Sequence, residues 1–340
     1  MTLLFFLLLS ATAFSQEEVL NVYNWSNYIP DDVLAQFEKE THIHVNYTTF
    51  DENETLYTKL KADPYVAYDL VFPSSFYVHR MAKEGMLHPL DLTQVPNIKF
   101  LNPDLLNRSY DPHNQYSIPY LWGTSSIIVN QKFFNPATIK KWSDLWQPRF
   151  NNQLVMLNDM RDLFSVSFIT LGYSINTQEP DKIKRAYEKL RLLLPNIKLF
   201  NNDAVIPIYT DEDAGVGMIL NGDALQVIEA NPNTHYIYPT DGVIAWVDCA
   251  VIPKNAPHIA HAYRFMNFVM RPDIAEKISE ELGYSSPNLS AIKLLPKEMQ
   301  DNPVINPPDS VLKHAQIEDY VDDKTMALYS YYWNLLKLSA

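Results

Sequence analysis

Alternation of apolar and polar positions predicts strands and helices in turn along the first ninety residues. Leu20 and Val22 indicate a short buried strand. Pro30 begins the helix that follows, because proline and the acidic residues after it suit a first helical turn. This βαβαβ order predicts a mostly parallel sheet with helices on both faces. The remaining predicted elements are strands at 43–47 and 68–73, a helix at 52–62, and a helix capped by Ser74 or Ser75.

Two later apolar stretches, 116–130 and 242–253, predict segments that cross between domains. We place the crossings near Gly123 and Trp246, so that the chain forms two α/β lobes with separate sheets and a hinge between them. The tail from 312 to 338 is predicted to be mainly helical. The predicted units are a signal peptide at 1–15, one lobe from 16–123 plus 247–292, and a second lobe from 124–246 plus 293–340.

Composition narrows the possible classes of function. The 340 residues suit two domains, and a net charge of −13 argues against nucleic acid, whose phosphates need a basic face. An apolar run at 3–9 followed by small residues at 10–15 predicts a cleaved signal peptide, and therefore export to a bacterial periplasm. Cys249 is the single cysteine, so the exported chain has no internal disulfide and depends on a large core.

Sequence signatures of catalysis are weak. The eight glycines form neither a dinucleotide nor a phosphate-binding loop, and residues 123–126 do not match a nucleophile elbow. His258 and His261 are three apart, but no third ligand is near, so we predict solvated surface histidines rather than a zinc site. We therefore expect no catalytic residue, no metal and no cofactor.

Two large aromatic residues, Trp25 and Tyr28, lie between the first strand and the first helix. In an open α/β sheet the loops at the carboxyl ends of strands form the ligand crevice, so these rings predict a binding wall. The alternative interpretation is that they cap the core beneath the loop.

Carboxylates lie near aromatic residues at two further places. Asp159 and Asp162 are three apart at a predicted helix start, where they can point into one crevice or simply cap the helix. Trp246 and Asp248 share one face of a predicted strand. Because Asp248 lies in an apolar run with no Lys or Arg near in sequence, it needs either a distant partner or a ligand cation.

A series of motifs connects these places. Together they resemble the substrate-binding proteins of bacterial polyamine ABC importers, the spermidine/putrescine-binding periplasmic family, over essentially the whole mature chain. The resemblance implies a two-lobe periplasmic substrate-binding protein fold with a hinge and a central cleft that closes on a polyamine. It implies a membrane-embedded ABC permease as partner and no enzymatic activity, and we expect a monomer. The motifs occur in the order YNWSNYIP, YDLVFPSSFYV, YSIPYLWGTSSIIVN, WSDLWQP, LGYSINT, AWVDCAVIP, NFVMRPDIA and GYSSPN.

The resemblance also implies a set of ligand contacts, in which aromatic walls cover methylenes and carboxylates bind ammonium groups. The matching positions are Trp25, Ser26, Tyr28, Asp159, Trp246, Asp248 and Tyr284, with Asp162 where a glutamate is usual. Four positions depart from the spermidine-binding pattern: Asn27 replaces an acidic residue, Phe76 a tyrosine, Leu220 a tryptophan and Glu318 a glutamine.

Two alternatives stay open: a binding protein for another small organic cation, and a hydrolase that uses Asp159 and Asp162 as a carboxylate pair. Charge counting favours spermidine over putrescine if these two residues, Asp248 and Glu318 all reach the cleft. If Glu318 is instead a solvated helix residue, the preference is undetermined.

Overall fold

A computed structural model describes residues 18–63 and 65–339, and the predicted signal peptide at 1–15 lies outside them. Within these ranges, no helix is both long enough and apolar enough to cross a membrane. The strands are β1 (Val19–Trp25), β2 (His44–Phe50), β3 (Leu70–Val71), β4 (Ser117–Asn130), β5 (Leu154–Met156), β6 (Ile197–Phe200), β7 (Val216–Leu220), β8 (Thr234–Ile237), β9 (Val243–Val251) and β10 (Ala315–Ile317). The helices are α1 (Asp31–Thr41), α2 (Asn53–Ala62), α3 (Ser75–Lys83), α4 (Met160–Thr170), α5 (Pro180–Arg191), α6 (Val205–Thr210), α7 (Asn221–Ala230), α8 (Ile259–Val269), α9 (Pro272–Leu282), α10 (Leu289–Ile292), α11 (Lys297–Gln300), α12 (Asp309–Leu312) and α13 (Asp323–Lys337).

The first strand–helix unit has the predicted form. β1 lies between β2 and β3 and pairs with both in parallel, with Leu20 and Val22 fully buried. α1 begins directly after Pro30 and ends at Thr41, and the next residue, His42, has a left-handed φ of 59°. The loop at 26–29 therefore lies at the carboxyl end of β1, which confirms the predicted strand, loop and helix.

The sheet as a whole is mixed. Its strand order is β2-β1-β3-β9-β4-β7-β5-β6, with β10 beside β9 and β8 beside β4. β9 runs antiparallel to β3 and β4, and β4 runs antiparallel to β7 and β8. The prediction of a mostly parallel sheet is wrong for the middle of the sheet, because the two long strands there run in opposite directions.

The same two strands make the sheet continuous. β4 and β9 pair from Ser117 opposite Val251 to Ser125 opposite Ile244. Gly123 lies opposite Trp246, so the two predicted crossing segments are hydrogen-bonded to each other. The prediction of separate sheets is therefore wrong, since the crossing strands join the strands on either side into one hydrogen-bonded path.

Buried apolar side chains form two packed clusters. The first is built on β1, α1, α8 and α9, with Phe37 packed edge-on against Phe265. The second includes β5, α4 and α13 and also takes in residues of α2 and α3, such as Leu56 and Val78. Full burial of such a side chain contributes about 1.5–3 kcal/mol, so each cluster is a substantial core.

The carboxyl-terminal tail departs from its mainly helical prediction. Residues 315–317 form β10, which pairs in parallel with β9, and the long helix of the tail begins only at Asp323. The backbone N–H of the next residue, Glu318, donates to the Ala245 carbonyl at 2.9 Å. This short strand therefore brings Glu318 beside the middle of β9.

Candidate ligand-binding cavity

One large cavity lies where the β1–α1 loop, the starts of α4 and α7, and the middle of β9 meet. It contains about 970 Å³ of empty space, part of which is open to solvent. All twelve residues that the sequence predicted as ligand contacts line it, so the structure brings together every member of the set. They are Trp25, Ser26, Asn27, Tyr28, Phe76, Asp159, Asp162, Leu220, Trp246, Asp248, Tyr284 and Glu318.

Aromatic rings form much of the wall. The rings of Tyr28 and Trp246 each meet Tyr284 edge-on, with centroids 5.3 and 5.6 Å apart. Trp25 is half-buried and packs against Phe50, which also lines the cavity. Tyr28 also belongs to one core cluster, and Trp25 packs against both clusters. These rings therefore line the cavity and also cover the core, so both interpretations apply.

Two glycines make room for these rings. A Cβ on Gly123 would lie 2.5 Å from the Trp246 ring, and a Cβ on Gly222 would lie 2.5 Å from the Tyr284 ring. Both distances are too short for a real side chain, so only glycine allows the rings to lie against the backbone there.

In the lining of the cavity, Asp248 is held by hydroxyl groups. Tyr28 Oη donates to Asp248 Oδ2 at 2.7 Å, and Ser74 Oγ donates to Asp248 Oδ1 at 2.6 Å. Asn53 in turn fixes Ser74 through two hydrogen bonds of 3.0 Å. Ser74 is the N-cap residue of α3, one of the two predicted positions. Its hydroxyl, however, donates to Asp248 and makes no capping hydrogen bond to the helix.

Burial raises the pKa of Asp248 to about 6, and the Ser74 and Tyr28 hydroxyls oppose this rise. Asp248 has no ion-pair partner in the described part of the chain; the partner that it needs is supplied by distant hydroxyls. Such neutral donors compensate for burial without cancelling the negative charge, so the carboxylate stays available to a cation.

Asp159 and Asp162 line the cavity from the start of α4, where Asp159 is the N-cap residue. Asp159 Oδ1 accepts from the backbone N–H groups of Arg161 and Asp162 at 2.7 and 3.0 Å, so it caps the helix and faces the cavity at once. Asp162 is 7% exposed, and its Oδ1 has no hydrogen-bond partner among the described residues. Burial raises the pKa of both carboxyl groups, and the Glu318 carboxylate further raises that of Asp162.

Glu318 is a further buried carboxylate of the lining. It is only 4% exposed and follows a strand, so the alternative of a solvated helix residue is wrong. Ser165 Oγ donates to its Oε1 at a long 3.4 Å. Burial raises the pKa of Glu318 to about 8, although the Arg161 guanidinium opposes the shift.

Three lining carboxylates escaped prediction, namely Asp51, Asp203 and Asp223. Tyr284 Oη donates to Asp223 Oδ1 at 2.9 Å, and burial raises the pKa of Asp223 to about 6. Asp223 lies three residues after Leu220 at the start of a helix. This is the spacing of Asp159 and Asp162, so the same argument could have found it.

The charge of the lining has one sign. Asp51, Asp203 and Asp223 bring the lining carboxylates to seven, and no Lys or Arg of the described residues lines the cavity. Arg161, which follows Asp159 on α4, is 1% exposed, and its guanidinium donates to the Asp319 carbonyl and to Asn176 Oδ1. Such a lining suits a cation that also has apolar surface.

The two histidines considered for zinc lie away from this cavity. Their rings stack with centroids 5.6 Å apart, His258 Nδ1 lies 3.1 Å from Asp69 Oδ2, and His261 Nδ1 lies 2.7 Å from the Val19 carbonyl. With side chains 32% and 18% exposed, they are not the solvated surface histidines that we predicted. Within the described ranges, no group of His, Cys, Asp and Glu could hold a metal ion.

Comparison with known proteins gives consistent similarities. The family described as bacterial extracellular solute-binding protein matches residues 32–307. The spermidine/putrescine-binding periplasmic protein of Salmonella typhimurium is 40% identical over 97% of this chain and 94% of its own length. The putrescine-binding periplasmic protein PotF of Escherichia coli is 32% identical, over 88% and 86%. The solved substrate-binding protein PotD of a spermidine/putrescine ABC transporter from Streptococcus pneumoniae has a TM-score of 0.80 at 35% identity, over 95% of this chain and 99% of its own.

Proposed function

Because this chain belongs to the bacterial extracellular solute-binding proteins, and among them to the spermidine/putrescine-binding periplasmic proteins, we propose that it captures a polyamine in this cavity and delivers it to an ABC importer. The predicted two-lobe fold of this family is confirmed by the same similarities. Its relatives are binding proteins, and we propose that this chain likewise binds without catalysis.

The observation that carries the proposal is the lining of the cavity. Seven carboxylates and six aromatic rings line it, without a Lys or Arg from the described residues. A polyamine is an apolar rod with separated positive charges. Ring faces attract each ammonium by about 0.5–2 kcal/mol and cover the methylenes between them, while carboxylates at fixed positions select the spacing of the charges.

The positions of the carboxylates suggest which groups hold the amine. Asp248 binds one ammonium group among the rings of Tyr28, Trp246 and Tyr284. Asp162 and Glu318 bind a second ammonium group. The rest of the twelve predicted residues contact the remainder of the polyamine.

Spermidine is the preferred ligand in this proposal. The charge count depended on Asp159, Asp162, Asp248 and Glu318 all reaching the cavity, and all four line it. A triamine uses more of these carboxylates than a diamine does, so charge complementarity favours it.

Capture involves the predicted lobes, residues 16–123 with 247–292 and residues 124–246 with 293–340, which hinge near Gly123 and Trp246. Closure removes water from the ligand and strengthens its interactions with the carboxylates. Export through a cleaved signal peptide places the monomer in the periplasm, where the membrane-embedded permease accepts the amine.

Isothermal titration calorimetry tests this function. The protein is unfolded and refolded to remove bound amine, then titrated with spermidine, putrescine, choline and 1,4-butanediol. Saturable binding of the two polyamines, with none of the uncharged diol, is the expected result. Failure of both polyamines to bind would overturn the proposal, and binding of choline alone would favour the other organic-cation alternative.

A further inference from the structure

The acidic cluster of Asp159, Asp162 and Glu318 holds more negative charge than its surroundings satisfy. Asp162 is 7% exposed and its Oδ1 has no hydrogen-bond partner in the described chain. Glu318 is 4% exposed and accepts one long hydrogen bond, from Ser165 Oγ at 3.4 Å. A buried ionised carboxylate with few donors is costly, so this cluster is under electrostatic strain.

The single guanidinium near the cluster does not neutralise it. Arg161 Nη1 donates to the Asp319 carbonyl at 3.2 Å, and Nη2 donates to Asn176 Oδ1 at 2.7 Å. Its guanidinium carbon lies 4.9 Å from the centre of the Phe76 ring. The ion pairs found in the described residues include neither Arg161 nor a member of the cluster.

The other titratable groups around the cluster add negative charge or none. The carboxylates of Asp248 on β9 and of Asp159 repel that of Glu318 and raise its pKa. Glu54 on α2 and Asp159 repel each other in the same way. Besides Arg161 on α4, the groups that face the cluster from the packed elements are Glu52 (just before α2), Glu54 (α2), Tyr77 (α3), Tyr236 (β8), Asp248 (β9) and Tyr329 (α13).

Resting on the proposed function, we propose that Asp162 and Glu318 share a proton in the ligand-free protein and that an incoming ammonium group displaces it, so that polyamine capture releases a proton. The acid O–H bond breaks, the carboxylate keeps the electron pair, and the proton passes to the buffer. The ammonium group then supplies the positive charge that the proton had supplied. Amine and proton thus compete for one buried acidic site.

The direction of the electrostatic shifts agrees with this competition. Burial, together with the Asp159 and Asp248 carboxylates, raises the pKa of Glu318 to about 8, so this carboxyl group is largely protonated at neutral pH. Alkylammonium groups resemble lysine, with pKa values near 10.4, so the ligand stays charged at pH 7. A proton released on binding therefore comes from the protein.

Calorimetry with putrescine at pH 7 in phosphate and in Tris measures the released protons, because the two buffers differ in ionisation enthalpy. The wild type is expected to release about one proton per bound amine, and Glu318→Gln well under half of one. Glu229→Gln, an exposed residue on α7, is the matched control and should behave as the wild type. Equal release by Glu318→Gln and the wild type would overturn the assignment.

A second measurement needs no variant. If one proton is released, the dissociation constant of the wild type falls about tenfold from pH 6 to pH 7 and levels off near pH 8. A dissociation constant that does not change with pH, at normal putrescine binding, would overturn the proton release and leave the proposed function intact. Absence of putrescine and spermidine binding at every pH would instead contradict the proposed function.

Discussion

Asp248 accepts hydrogen bonds of 2.7 and 2.6 Å from Tyr28 and Ser74, whereas Glu318 accepts one of 3.4 Å and Asp162 Oδ1 accepts none from the described residues. Both the Asp248 site and the Asp162–Glu318 site are buried and acidic. They differ in how far the protein itself has satisfied the carboxylate before a ligand arrives.

This difference separates two ways of binding a cation. The Asp248 site is preorganised, because its donors fix the carboxylate and need not move when the ammonium arrives. The Asp162–Glu318 site is tuned by charge, because like-charged groups with few donors bind a proton until a cation replaces it. The first site should set affinity, and the second should set pH dependence and the choice between amines.

The largest effect is expected for Asp248→Ala. The ammonium group would lose its counter-charge in a buried place, so polyamine affinity should fall by several kcal/mol, about 3–5 by analogy with broken buried pairs. Calorimetry with spermidine measures it, and Asp104→Ala on the exposed surface is the matched control. A loss below about twofold, roughly 0.4 kcal/mol, would show that Asp248 is not the anchor.

The second prediction concerns the stability of the ligand-free protein. A carboxyl group with a folded-state pKa of about 8 and an ordinary value of 4.5 binds its proton more tightly when folded. Its stabilising contribution is therefore complete below pH 4.5 and is lost as the pH rises towards 8. The wild type should therefore lose roughly 2–4 kcal/mol of its free energy of unfolding between pH 5 and pH 8 relative to Glu318→Gln, because glutamine does not titrate.

Urea unfolding of both proteins at pH 5 and pH 8 measures this gap in free energy of unfolding. Glu229→Gln controls for the loss of an exposed charge. A gap that is the same at both pH values would contradict the raised pKa of Glu318.

The third prediction sharpens the role of the Asp162–Glu318 site in ligand choice. Glu318→Gln should weaken spermidine binding by about 1–2 kcal/mol and putrescine binding by less, because the triamine makes more use of the charge at this site. Titration of the variant with both amines tests it. Equal changes, or none, would remove Glu318 from the choice between them.

The smallest effect is expected for Tyr28→Phe. Loss of one hydrogen bond to Asp248 should weaken binding by about 0.5–1.5 kcal/mol, roughly two- to tenfold. The pKa of Asp248 should rise above its wild-type value, because in the wild type the hydrogen bond from the Tyr28 hydroxyl lowers it. Tyr331→Phe, on an exposed ring, is the control, and an unchanged affinity for Tyr28→Phe would show that the Ser74 hydroxyl alone holds the carboxylate.

Local spacing along the sequence was enough to predict much of this molecule. Residues two apart on a strand share a face, which places Trp246 and Asp248 together, and residues three apart on a helix do the same for Asp159 and Asp162. The β1–α1 unit followed from an apolar alternation and a proline start, both of which are local signals. Motifs spread over the chain extended these local arguments to the two-lobe fold and to the twelve lining residues.

Tertiary structure alone decided the rest. The direction of a strand depends on its neighbours, so neither the antiparallel β4–β9 pair nor the three-residue β10 that precedes Glu318 had a local signal. The donors of Asp248 lie 174 and 220 residues away in sequence, so local spacing could not identify them. That Asp162 Oδ1 has no donor likewise depends on where folding places all the other described residues. Spacing fixes which face a side chain shares, but its electrostatic state depends on every group that folding brings near it.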